Sequence, residues 1–167
     1  MFELDKTDRI NELILMTKSD SGVSGPALAM AHMELGKHLA QSLPQMKPED
    51  TTVVAMLRGG IFFAEGIYFH LGCKFQLYDP KNGEFIRPQT KNVIIVDSVI
   101  NTGRTIKKIL APDMLIACCV INEQVADLFG NQLYVVRVSK NAFVGGNVFE
   151  QKDGVGPDTT MRLFNQI

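Results

Sequence analysis

The chain has 167 residues, 46% apolar and 21% charged, with a net charge of −1. That profile fits one globular domain over residues 1–167 with a sizeable core, and it excludes a basic nucleic-acid binder. No apolar run is long enough to span a bilayer, so neither nucleic acid nor membrane is expected as a partner.

Residues 1–6 are acidic and mixed, unlike a secretory signal, and a cytoplasmic location is expected. Ile10, Leu13, Ile14 and Met16 predict an amphipathic helix over 5–16. Residues 18–25 read as a loop. Ser24 as N-cap and Pro26 in the first turn then start a helix running to about Leu43, with Leu28, Ala31, Leu35 and Leu39 as its core face. His32 and His38 do not share a face as a metal pair at i, i+4 would, and they are expected on the surface or helix flank.

Val53 to Leu57 is a buried strand that delivers Arg58-Gly59-Gly60 to an apolar helical segment. Paired glycines permit unusual backbone geometry, and an adjacent arginine can grip phosphate oxygens through two donors. Taken alone, a tight turn with a solvated arginine explains the segment as well. Phe62, Phe63 and Phe69 are expected in the helix core. Phe75, Leu77 and Tyr78 alternate as a strand does, residues 79–83 signal a turn, and Phe85-Ile86-Arg87 is expected to return as a strand, closing a short hairpin.

Val93 to Val96 is a continuous apolar β-branched run, the mark of a strand buried on both faces of a parallel sheet. Asp97 stands where the run gives out, and Thr102-Gly103-Arg104-Thr105 supplies a turn and a helix start. Ligands of open α/β sheets bind beyond the carboxyl ends of strands, and free N–H groups at a helix start suit a phosphate. An ordinary β-α connection, with Thr102 as N-cap, is the competing reading. Residues 111–113 break the following helix. Met114 to Ile121 is the next buried strand, and its Cys118 and Cys119, like Cys73, read as free thiols in a reducing compartment. A helix or turn over 122–129 leads to a strand at 133–138. Strands alternating with helical segments predict a mostly parallel sheet with helices on both faces. Residues 153–165 read by themselves as a glycine-rich loop and a frayed tail.

Together these motifs give the chain a family likeness. Asp97, Val99, Ile100, Thr102, Gly103 and Thr105 resemble the signature of type I phosphoribosyltransferases, which bind 5-phosphoribosyl 1-diphosphate (PRPP). Ser98 replaces a second acidic residue, a departure shared with uracil phosphoribosyltransferases. Leu57-Arg58-Gly59-Gly60 resembles the diphosphate loop of those enzymes. Gly154, Val155, Gly156, Asp158, Arg162 and Phe164 resemble their C-terminal hood, with Pro157 as an extra residue and Thr160-Met161 in place of Gly-Asp.

The resemblance implies a type I phosphoribosyltransferase-like α/β fold with a short hairpin and a C-terminal hood segment. It implies transfer of phosphoribosyl from PRPP to uracil, giving UMP and diphosphate in pyrimidine salvage. Mg²⁺ would travel with PRPP, with no metal ligands from the protein. Arg58, Gly59 and Gly60 would take the diphosphate; Asn101, Thr102, Gly103, Arg104 and Thr105 the 5′-phosphate; Asp97 the ribose hydroxyls; and Gly154, Val155, Gly156 and Asp158 the base. Asp97, Asp158 and Arg58 would be the catalytic set. Relatives commonly dimerise, and the apolar stretch 61–78 offers a surface for that. Tyr78-Asp79 stands where relatives carry an arginine, with Lys81 or Arg87 as substitutes, and Lys18 stands where they often carry another. Two alternatives therefore stay open: a PRPP- or nucleotide-binding regulator with weak or no catalysis, and a phosphoribosyltransferase for another base.

Overall fold

The computed structural model describes residues 1–141 and 156–167. Among them, six strands form one all-parallel sheet in the order β1-β6-β5-β4-β2-β3. They are β1 (Phe2–Glu3), β2 (Thr51–Met56), β3 (Lys74–Tyr78), β4 (Asn92–Ile100), β5 (Leu115–Asn122) and β6 (Leu133–Ser139). β2 is buried throughout and β5 almost so, as expected for central strands covered on both faces.

One face carries three helices, α1 (Asp8–Thr17), α2 (Gly25–Ala40) and α3 (Ile61–Leu71). Leu35, Leu39, Phe63 and Ile67 seal it against Val53, Ile94 and Val96. Each such fully buried side chain stabilises the fold by roughly 2 kcal/mol. α2 and α3 touch backbone to backbone: a Cβ at Gly36 would lie 2.2 Å from the Phe63 carbonyl oxygen, and one at Gly66 1.9 Å from that of Met33. The other face is covered more thinly. There α4 (Arg104–Lys107), α5 (Glu123–Ala126) and a 3-10 turn over Asp127–Gln132 place Ile106, Ala126 and Phe129 against Ile95, Ile116 and Val135. Near the C-terminus, α6 (Thr159–Leu163) packs Leu163 on Leu28 and Ala29 at the start of α2.

Several expectations need correction. Residues 85–87 do not return as a strand, so there is no hairpin. β3 pairs only with β2, and its following segment is held by Gln76 Nε2 donating to the Ile86 carbonyl at 2.8 Å and by a Tyr78–Phe85 ring contact. Arg87 pairs with Asp113. The helix after the Thr-Gly loop is a single turn, and Gly103, not Thr102, takes its N-cap position. Phe69 is exposed, and Phe62 is half-buried against Phe164. His38 is partly exposed as expected, but His32 is buried. Its place is dictated by the same face that carries Leu28, Leu35 and Leu39. The tail is not frayed, since residues 159–163 are helical.

Candidate functional site

A cleft of about 1040 Å³ opens at the carboxyl ends of β2, β4, β5 and β6, beneath residues 17–20 and 156–161. Asp97 stands in its wall near the end of β4. Its Oδ1 accepts the Ser98 backbone N–H at 2.7 Å. Burial pushes the carboxyl up to about 7, while the N–H groups of Ser98 and Val99 pull it back toward the ionised form.

On the adjacent strand, β2 delivers the Arg58-Gly59-Gly60 turn to the same place. The register pairs Ala55 with Val96, one residue before Asp97. Backbone on either side leaves no room for a Cβ at Gly60, and two side-chain hydroxyls crowd Gly59. A Cβ on Gly59 would lie 2.9 Å from Thr160 Oγ1 and 3.0 Å from Ser98 Oγ, and one on Gly60 2.6 Å from the Val96 carbonyl oxygen. The Leu57–Arg58 peptide bond is cis. Arg58 is exposed; its guanidinium lies 5.2 Å from the Phe164 ring centroid, and Nη2 donates to Gln166 Oε1 at 3.2 Å. A diphosphate there would have to share or displace these weak contacts.

The Thr-Gly loop is placed differently. Asn101 lines the cleft, whereas Thr102, Arg104 and Thr105 are exposed beside it. Gly103 adopts φ 67°, and a Cβ there would lie 2.7 Å from Phe129 Cζ, so glycine is demanded by conformation and by space. At the hood, Gly156 and Asp158 line the cleft. Asp158 also caps α6, its Oδ2 accepting the Met161 N–H at 3.0 Å. Gly154 and Val155 lie outside the described residues. Lys18 and Lys81 line the cleft; Arg87, tied to Asp113, does not.

Three residues emerge that motif reading passed over as site components. Arg162 is fully buried and donates to the Thr17, Met16 and Val23 carbonyls and to Ser21 Oγ, so it clamps the 16–23 segment over the cleft. His32 lines the cleft, with Nδ1 donating to the Leu28 carbonyl at 3.0 Å. Burial lowers its pKa to about 4, and the charges of Arg162 and Arg137 act in the same direction. Arg137, at the end of β6, also lines the cleft, and its buried Nε has no hydrogen-bond partner among the described residues. The available signals were His32 on an apolar helix face and one arginine inside the run Leu133 to Val138.

Three lysines (Lys18, Lys81 and Lys140), Arg58, Arg137 and glycine-exposed backbone suit an anionic ligand, and four aspartates (Asp20, Asp79, Asp97 and Asp158) around the same cleft suit one that also carries hydroxyls. No cluster of three or more His, Cys, Asp or Glu able to hold a metal occurs among the described residues.

The fold is that of the type I phosphoribosyltransferases. The backbone is similar to the AQ2163 protein from Aquifex aeolicus, at TM-score 0.61 and 15% identity, covering 83% of this chain and 86% of that one. It is also similar to a hypoxanthine-guanine phosphoribosyltransferase from Bacillus anthracis, at TM-score 0.51 and 17% identity, covering 66% of this chain and 78% of that one. No protein-family model matches the sequence, and no curated protein matches it.

Proposed function

We propose that this chain is a PRPP-dependent phosphoribosyltransferase acting on a nucleobase, with uracil as the leading substrate and UMP and diphosphate as products. The observation that carries this reading is the meeting of Asp97 with the Arg58-Gly59-Gly60 turn at neighbouring strand ends in one cleft. Uracil rests on the sequence resemblance, above all on Ser98 following Asp97.

In this reading Asp97 accepts hydrogen bonds from the ribose hydroxyls. The Gly59-Gly60 backbone and Arg58 take the diphosphate. Residues 101–105 hold the 5′-phosphate, and Asp158 stands beside the base with Gly154, Val155 and Gly156. Departure of diphosphate from C1′ leaves positive charge on the ribose. The protein's task is to stabilise the leaving anion and keep the base nitrogen in line. Residues 17–20 and 156–161 cover the cleft and restrict water. Mg²⁺ would be carried in on PRPP and not held by a protein cage: among the described residues no three His, Cys, Asp or Glu are grouped to hold a metal. When bound, the ion would supply charge neutralisation to the diphosphate. The working unit is a single domain, 1–167, dimerised through the 61–78 surface, where Phe69 and Leu77 are exposed, and located in the cytoplasm.

One observation favours a second reading, a PRPP-binding regulator: Arg58 is engaged with Phe164 and Gln166, and Arg87 is held by Asp113. Calorimetry with PRPP and Mg²⁺, beside an assay of diphosphate release with a panel of bases, separates them. Binding with release on adding uracil supports the enzyme. Release with another base changes the substrate. Binding without release for any base moves the regulator to first place, and no binding sinks the site.

A further inference from the structure

The Arg58-Gly59-Gly60 turn is met by the C-terminal segment, and the local structure there is built for the meeting. α6 closes on a residue in the left-handed region, Asn165 at φ 53°. Asparagine is among the few residues besides glycine that visit this conformation. The Asn165 N–H donates to the Arg162 carbonyl at 3.1 Å and the Gln166 N–H to the Met161 carbonyl at 2.9 Å, the paired bonds of a Schellman cap. The Asn165 side chain lies against the start of α2, where a Cβ on Gly25 would be 3.0 Å from Asn165 Oδ1. The residue after such a reversal commonly packs an apolar side chain back on its helix. Here it is Gln166, and its Oε1 accepts from Arg58 Nη2 at 3.2 Å. Phe164, just before the reversal, puts its ring centroid 5.2 Å from the same guanidinium. That ring is itself held by Phe62, with centroids 5.4 Å apart.

Two observations decide whether these contacts hold Arg58 ready or hold it back. Arg58 lines the cleft and neither Phe164 nor Gln166 does, so both reach it from outside. A guanidinium is also a fork of several N–H donors. Among the described residues, Gln166 accepts the one hydrogen bond that this side chain makes, and the ring attracts the cation through its π face. The rest of the fork stays open to an anion in the cleft.

We propose that Phe164 and Gln166 are positioning residues, which hold the Arg58 guanidinium at the glycine turn before PRPP arrives and leave its other donors for the diphosphate. This rests on the transferase reading above and deepens its account of the diphosphate site. An arginine free on an exposed turn loses its rotamer freedom when it grips a ligand, whereas one already held has lost it in advance.

The test titrates the full chain calorimetrically with PRPP and Mg²⁺, and with ribose 5-phosphate, which lacks the diphosphate. Gln166→Ala should weaken PRPP by about two- to tenfold, the effect of one side chain no longer ordered in advance, and leave ribose 5-phosphate affinity unchanged. Gln166 is exposed, so the variant keeps its fold. Phe164→Leu should act in the same direction, and Phe164→Tyr, which keeps the ring, should hold wild-type affinity. In an Arg58→Ala background, Gln166→Ala should cost nothing more, because the glutamine acts only through the arginine. PRPP affinity that is unchanged in Gln166→Ala overturns the proposal, and tighter binding would mean that the contacts withhold the arginine. An equal loss for ribose 5-phosphate, or a loss that persists without Arg58, overturns it as well, since a merely structural role gives both. Wild-type protein that binds no PRPP would instead remove the transferase reading, and this proposal with it.

Discussion

Asp97 is a carboxyl caught between two demands. Its position in the cleft wall disfavours charge, whereas holding ribose hydroxyls favours an ionised acceptor. Because its folded pKa of about 7 lies above the ordinary 3.8, the stability linked to its proton is fully present below 3.8 and lost as pH rises through 7. Wild-type stability in a denaturant titration should therefore fall between about pH 4 and 7 relative to Asp97→Asn, by on the order of 1–3 kcal/mol. PRPP affinity should move the other way, rising through about pH 7 in wild type but not in Asp97→Asn. At pH 8 the variant should bind PRPP at least about tenfold more weakly while staying folded. Equal affinity would refute the ribose assignment. Asp97, Arg58 and the glycines were readable from sequence because strand ends and glycine turns leave local signatures. The arrival of His32 and Arg137 in the wall of one cleft was not. It joins a helix and a strand far apart in the chain, and each residue looked incidental within an apolar pattern.

At the level of elements, the closest fit is between α2 and α3. Alanine in place of a mid-helix glycine ordinarily favours a helix by about 1 kcal/mol. Here the sign should reverse. Gly66→Ala puts a methyl 1.9 Å from the Met33 carbonyl oxygen, so the helices must separate, at a cost of at least about 2 kcal/mol in a denaturant titration. The second decisive element is α6, through Arg162. Arg162→Met should cost about 3 kcal/mol, because it strips donors from the buried Thr17 carbonyl and the part-buried Met16 and Val23 carbonyls, and should expose residues 18–22 to limited proteolysis. Arg162→Lys should recover only part, lacking the planar fork. Strands β2, β4, β5 and β6 were legible because each contains a run of apolar residues long enough for a buried strand. The sequence misled at 85–87, where the turn signal at 79–83 suggested a returning strand, but Pro88 follows directly and has no N–H for a ladder. It passed over β1, whose two residues are too few for any periodicity.

Seen whole, the molecule sets a parallel sheet between one thick helical layer and one thin one, with the cleft along the carboxyl ends of its strands. That arrangement was readable from strand and helix alternation, because parallel sheets need covering on both faces. The arrangement at the sheet's β6 edge was not. β1 pairs with β6 at Tyr134 and Val135, the Leu4 N–H donates to the Val135 carbonyl at 2.9 Å, and Lys6 Nζ reaches the Val136 carbonyl. This has a consequence for synthesis. Residues 2–6 leave the ribosome long before β6 exists to receive them, and the 16–23 segment waits longer still, for Arg162. These segments precede β6 and Arg162 in the chain and settle only after them. Nascent chains stalled before β6 has emerged should therefore be cut readily within residues 2–23, while chains released at full length should resist the same protease there.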